Sequence, residues 1–154
     1  MRDYSTYFYK KMPNENFVVD VFEKKHNIPG TVFRTHWHEH LQFFYFASGK
    51  ALMKCNSESI DVLPGDLIII NGNELHSCEN LSNNLDYYAI RVDLSFLFSN
   101  QIDSCQTKFM TPLAENLILF ENLILFQHLI RDDEATLKCI NNIIQEYLSK
   151  KNWF

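Results

Sequence analysis

Three histidines, His36, His38 and His40, alternate with Trp37, Glu39 and Leu41, and Gln42 continues the same parity. Successive side chains of a strand point to opposite faces, so the run predicts four polar groups on one face. Residues two apart on a strand lie about 6.6 Å from each other, and two imidazoles leaning together both reach a metal at about 2.1 Å. His76, which follows the Asn71-Gly72-Asn73 turn on a different expected strand, completes a facial set. Neutral imidazoles with one amide oxygen suit zinc, nickel, copper or iron, not calcium. The same residues also make a polar pocket in which the histidines bond to one another, to Gln42, to water or to an organic ligand.

Short elements must hold these side chains. All four glycines, Gly30, Gly49, Gly65 and Gly72, fall between residues 30 and 72, and Pro29 and Pro64 each precede one of them. The pattern predicts extended chain over residues 31–48 and strands over 50–55, 59–63, 66–70, from Leu75, and over 85–92. Polar turns separate them, with Pro64-Gly65 suited to a type II turn. Short strands punctuated about every ten residues form a sandwich or barrel.

Beyond residue 110 there is no glycine. Asp132-Asp133-Glu134 reads as a helix cap with an acidic first turn, and Leu137, Ile140, Ile144, Tyr147 and Leu148 follow at helical spacing up to Lys151. This stripe packs either on the barrel or on a second copy of the chain, in which case the same five residues make the dimer contact. The hexapeptide Glu-Asn-Leu-Ile-Leu-Phe occurs at 115–120 and again at 121–126. An even repeat length keeps one face in a strand, so a strand is expected there, without assigned function.

At 154 residues, 46% hydrophobic and 14% aromatic, the chain is one globular domain. It divides into a barrel with an N-terminal arm over residues 1–110 and a strand-and-helix segment over 111–154. The formal net charge of -5 gives no field to attract phosphate backbones, so this segment alone is a poor nucleic-acid binder. Cys55, Cys78, Cys105 and Cys139 form no Cys-x-x-Cys pair, which fits a reducing cytoplasm. Neither a signal core nor a membrane-length apolar run is present, so no membrane partner is expected.

The spacing of the polar residues resembles the two motifs of the cupin superfamily of small β-barrels. Gly30, His36, His38, Gln42 and Gly49 stand at the positions of the first motif, and Gly65, Asn71, Asn73, His76 and Asn80 at those of the second. Gln42 replaces the motif's carboxylate, which removes a negative charge and a good oxygen donor from any metal site. Asn71 and Asn73 replace its Pro and Gly, and asparagine tolerates left-handed backbone angles. The resemblance implies a mainly β fold, a cupin-type jelly-roll barrel followed by a C-terminal helical segment.

The phrases His-Trp-His-Glu-His, Pro64-Gly65-Asp66-Leu-Ile-Ile-Ile-Asn and Leu129-Ile-Arg-Asp-Asp-Glu further resemble the effector-binding domain of AraC-type transcription regulators. That resemblance implies a small polar effector such as a sugar inside the barrel, a homodimer, and DNA binding through a helix-turn-helix domain beyond residue 154. The expected contacts are His36, His38, Gln42 and Phe44 on one strand, His76 opposite, and Tyr88 by similarity. Arg34 shares the parity of His36 and is placed to meet an anionic group at the pocket mouth. The aromatic stretch 4–17 reads as an edge strand or a lid. The rival is a complete, single-domain, metal-dependent cupin enzyme, an isomerase or dioxygenase with His36, His38 and His76 as ligands to zinc, nickel or iron.

Overall fold

The computed structural model describes residues 19–93 and 125–151. The expected N-terminal arm, most of the tandem hexapeptide and the boundary near residue 110 lie outside the described residues. The strands are β1 (Val19–His26), β2 (Gly30–His36), β3 (Leu41–Ser48), β4 (Ala51–Cys55), β5 (Glu58–Val62), β6 (Leu67–Ile70), β7 (His76–Asn80), β8 (Leu85–Val92) and β9 (Leu129–Ile130). A single described helix, α1 (Glu134–Lys151), follows.

The strands form two antiparallel sheets, β1-β8-β3-β6-β9 and β2-β7-β4-β5. Consecutive strands pass repeatedly from one sheet to the other, and the two sheets share a core that includes Phe44, Phe46, Met53, Ile68, Ile70 and Cys78. This is the jelly-roll barrel of the cupin fold.

Turn chemistry fixes the strand ends where it was expected. Gly65 adopts φ 92 after Pro64, and Asn73, at the motif's glycine position, adopts φ 66. Gly49 has φ 81, and a Cβ there would lie 2.6 Å from Ser82 Oγ and 2.7 Å from Leu85 Cα. Only glycine lets β3 turn away this close to β8.

One expectation about elements needs correction. Residues 31–48 are not one strand: β2 ends at His36, and residues 37–40 carry the chain from the four-stranded sheet to the five-stranded one, where β3 starts. Leu129 and Ile130, ahead of the helix, pair with Ile68 and Leu67 as an added edge strand. The helix begins after Asp133, whose Oδ1 accepts the Thr136 N–H at 2.9 Å. That bond holds the Asp133 carboxyl below the usual carboxylate range.

The stripe on α1 packs within the chain. Ile140 and Ile144 are buried with Leu41, Leu67, Ile69 and Ile90, while Leu137 and Leu148 pack at the margin and Tyr147 is half-buried. Of the two packings open to this stripe, the helix covers the outer face of its own five-stranded sheet. Ile140 and Ile144 are core residues here rather than an exposed dimer surface. β6 reads Leu-Ile-Ile-Ile without alternation because core covers both of its faces.

Candidate functional site

A cavity of about 350 Å³ lies inside the barrel, lined by Phe22, Phe33, Arg34, Thr35, His36, His38, Gln42, Phe44, Tyr87 and Arg91. Strand register builds one wall. Asp20, Arg91, Gln42 and Ile70 stand side by side across β1, β8, β3 and β6, and the next inward row is Phe22, Ala89, Phe44 and Ile68. The polar row thus sits over a floor of apolar side chains.

His36, His38 and His76 converge although they come from β2, the 37–40 corner and β7. Their ring centroids are separated by 4.3 Å (His36 to His76), 4.8 Å (His38 to His76) and 5.8 Å (His36 to His38). One ring nitrogen from each lies within 4.8 Å of the others. Every Nδ1 faces a backbone carbonyl: Arg34 O at 2.8 Å for His36, His40 O at 3.1 Å for His38 and Glu74 O at 2.9 Å for His76. A neutral imidazole that donates Nδ1–H keeps its lone pair on Nε2, so these carbonyls select that tautomer for His36 and His76, whereas His38 meets an acceptor at each ring nitrogen.

Burial keeps two of these rings neutral. It lowers the pKa of His38 to about 4, against an opposing hydrogen bond to Gln42. It lowers that of His76 to about 3, with the neighbouring histidines adding to the effect. His38 Nε2 lies 2.7 Å from Gln42 Oε1, an acceptor, so here Nε2–H donates to the amide oxygen, and ligation of a metal through this nitrogen would first turn the Gln42 amide away. His76 Nε2 is buried without a hydrogen-bond partner among the described residues. Three imidazole nitrogens fit a zinc, nickel or iron ion, although tetrahedral ligation at about 2.1 Å needs nitrogens about 3.4 Å apart and so a small inward shift. Gln42 contributes no charge to that set.

The histidine corner is tied to the segment that leads into α1. The buried Glu74 carboxylate accepts the Asn71 backbone N–H at 3.0 Å and faces His128 Nε2 at 3.0 Å. The Asn71 side chain pairs with the Phe126 backbone, Oδ1 accepting N–H at 2.7 Å and Nδ2 donating to C=O at 3.0 Å. Burial alone would lower the His128 pKa, but the Glu58 and Glu74 carboxylates outweigh it and the net direction is upward. Arg131 donates to both Asp66 carboxylate oxygens at 2.7 and 2.6 Å. Asn71, which stands where the cupin motif has proline, therefore serves as a clamp.

Of the expected contacts, His36, His38, Gln42 and Phe44 line the cavity, and His76 packs 6.4 Å from the Phe44 ring. Tyr88 does not join them. It lies on the outer face near α1, with its hydroxyl 3.4 Å from Glu23 Oε1, because the parity of β8 sends Tyr87 inward instead. His40 is half-buried, its ring 6.2 Å from that of His38 and outside the cavity lining. Tyr87, Phe22, Phe33, Arg91 and Glu74 were not anticipated.

Barrel, histidine corner and inner cavity define a cupin domain. Residues 21–152 match the AraC-like ligand binding domain, and the chain belongs to that family. Two curated relatives from Bacillus subtilis strain 168 are described as uncharacterized HTH-type transcriptional regulators. YdeC is 34% identical over 70 residues, 45% of this chain and 24% of the regulator. YbfI is 31% identical over 61 residues, 39% of this chain and 22% of the regulator. The chain thus spans about a quarter of the length of the regulators it matches. Among solved structures, a cupin superfamily protein from Desulfitobacterium hafniense aligns at 13% identity and TM-score 0.46, over 51% of this chain and 71% of that one. Bacillus subtilis oxalate decarboxylase aligns at 23% identity and TM-score 0.45, over 53% of this chain and 22% of that one.

Proposed function

We propose that this chain is the effector-sensing domain of an AraC-type transcription regulator and takes a small ligand with polar groups, such as a sugar, into the barrel. The observation that carries the reading is the cavity of about 350 Å³, walled by aromatic rings and by the His38, Gln42 and Arg91 row. Rings and polar groups on one wall suit a ligand that is apolar on one side and hydrogen-bonding on the other. Occupancy acts on a helix-turn-helix DNA-binding domain in the cytoplasm, and the descriptions of the two relatives support that partner. The route runs from the histidine corner through Glu74, His128 and Asn71 to the segment preceding α1. It works to the extent that the ligand prefers one arrangement of that segment over another.

The regulator is a homodimer in this reading, with α1 at the contact. Because Ile140 and Ile144 are sealed in the core, the contact falls to the other side of α1, where Ile143 is exposed. Calorimetric titration with a panel of monosaccharides and small organic acids tests the ligand site. Ala89→Phe, which adds a ring between the lining residues Phe22 and Phe44, is expected to weaken binding at least about tenfold, close to 1.4 kcal/mol, in protein that still folds. A ligand that binds this variant as tightly as the unaltered chain would place the site elsewhere.

The three-histidine set supports a second reading, a metal-dependent cupin enzyme of isomerase or dioxygenase type. His36, His38 and His76 would hold the ion, which when bound supplies a Lewis acid. Gln42, in place of a carboxylate, weighs against it. Stoichiometric iron in purified protein, together with turnover of a small substrate, would favour the enzyme over the sensor.

A further inference from the structure

We infer that the ligand of the barrel cavity is a small organic carboxylate whose charge is received by Arg91. The inference rests on the cavity being the ligand site, as proposed above, and narrows what that site accepts.

Arg91 is only 2% exposed, yet it lines the cavity in the centre of the polar row, between Asp20 and Gln42. Its Nη2 is paired with Asp20, and its guanidinium carbon lies 5.6 Å from the centre of the Phe22 ring. Its Nε is buried and has no hydrogen-bond partner among the described residues. A charged donor left without an acceptor in a low-dielectric interior is expensive, and fold stability alone gives no reason to keep it. An acceptor arriving with the ligand would complete it.

The charge of the lining favours an anionic acceptor. Arg34 and Arg91 both line the cavity, and among the described residues no aspartate or glutamate does. Asp20 balances the Arg91 guanidinium, and the exposed Arg34 adds a further positive charge beside it in a chain whose formal net charge is -5. Hydrogen bonds from guanidinium to carboxylate are roughly twice as strong as neutral ones, whereas a neutral polyol leaves the extra charge unanswered. Phe22, Phe33, Phe44 and Tyr87 supply the remaining wall, which calls for an apolar body behind the acid. At about 350 Å³ the cavity admits a body the size of one substituted ring.

The test is calorimetry with phenylacetate and its neutral counterpart phenylacetamide, at constant ionic strength and in EDTA so that no ion in the histidine cluster can take the carboxylate. Phenylacetate is expected to bind at least about tenfold more tightly than the amide. Arg91→Lys, which keeps the charge but loses Nε–H, should retain part of that preference. Removing Arg91 alone strands Asp20 and endangers folding, so the decisive variant is the paired change Asp20→Asn with Arg91→Gln. In it the two probes should bind alike.

If the amide binds the unaltered chain as well as the acid does, or if the preference survives the paired change, the carboxylate inference is overturned while the cavity remains the site. If neither probe binds while a monosaccharide does, and Ala89→Phe weakens that sugar, the carboxylate inference is likewise overturned with the cavity still the site; if every ligand that binds also binds Ala89→Phe undiminished, the cavity reading falls and this inference falls with it.

Discussion

The two faces of the five-stranded sheet carry opposite chemistry on the same strands. On β3, Leu41, Phe43 and Tyr45 face α1, while Gln42, Phe44 and Phe46 face the barrel interior; on β8, Tyr88, Ile90 and Val92 oppose Tyr87, Ala89 and Arg91. The outer face is apolar and sealed by Ile140 and Ile144. The inner face is apolar toward the bottom and polar along one row, where Asp20, Arg91, Gln42 and His38 interrupt the core. Burying such groups stabilises a fold only when each is paired, and Arg91 Nε and His76 Nε2 are not. One face is built for stability, and the other gives up some stability to leave groups that a ligand can satisfy.

Changes on the two faces should therefore separate in what they affect. Ile144→Ala on the outer face should cost about 2–5 kcal/mol of unfolding free energy, read from urea denaturation, and leave ligand affinity of the folded protein unchanged. A loss of affinity to match the loss of stability would mean that the two faces are not independent. Asn71→Ala, which frees the Phe126 backbone from its clamp, should cost about 1–3 kcal/mol. Its hydrogen-exchange signature should concentrate on residues 126–131, sharpening the tie between the histidine corner and the approach to α1. Gln42→Glu restores the carboxylate of the cupin motif and should raise zinc affinity about tenfold or more in a competition titration. An unchanged affinity would mean that the three histidines do not form a metal set.

The smallest effect concerns the thiols. Burial pushes the Cys55 and Cys78 thiols up to about 12, whereas Cys139 is exposed on α1. Iodoacetamide should modify Cys139 in native protein and reach Cys55 and Cys78 only after denaturation, as peptide mass mapping would reveal.

The sequence is readable where local chemistry decides. The strand over Leu85–Val92, the hairpin of β4 and β5, the turn at Gly65 and the cap at Asp133 all follow from turn residues, period and capping groups. The break at residues 37–40 is not readable, because the polar parity of His36, His38, His40 and Gln42 runs through it without a glycine or proline to mark it. The same histidines meet all the same, since the corner and the strand both bring alternate residues inward. The family resemblance points to Tyr88, whereas Tyr87 faces the cavity; both faces of β8 are covered, so neither alternation nor residue type tells the two apart. Arg91 and Glu74 were passed over for the opposite reason. Charged residues are usually solvated, and only the folded chain reveals that these two are buried.

Tyr87 and Tyr88 also give the most direct test, being chain neighbours on opposite faces of one strand. In aromatic side-chain NMR spectra of the chain titrated with phenylacetate, the Tyr87 ring signals should shift with saturation while those of Tyr88 stay in place. A response at Tyr88 with Tyr87 unmoved, or no response at either ring, would contradict the assignment of ligand recognition to the inner face.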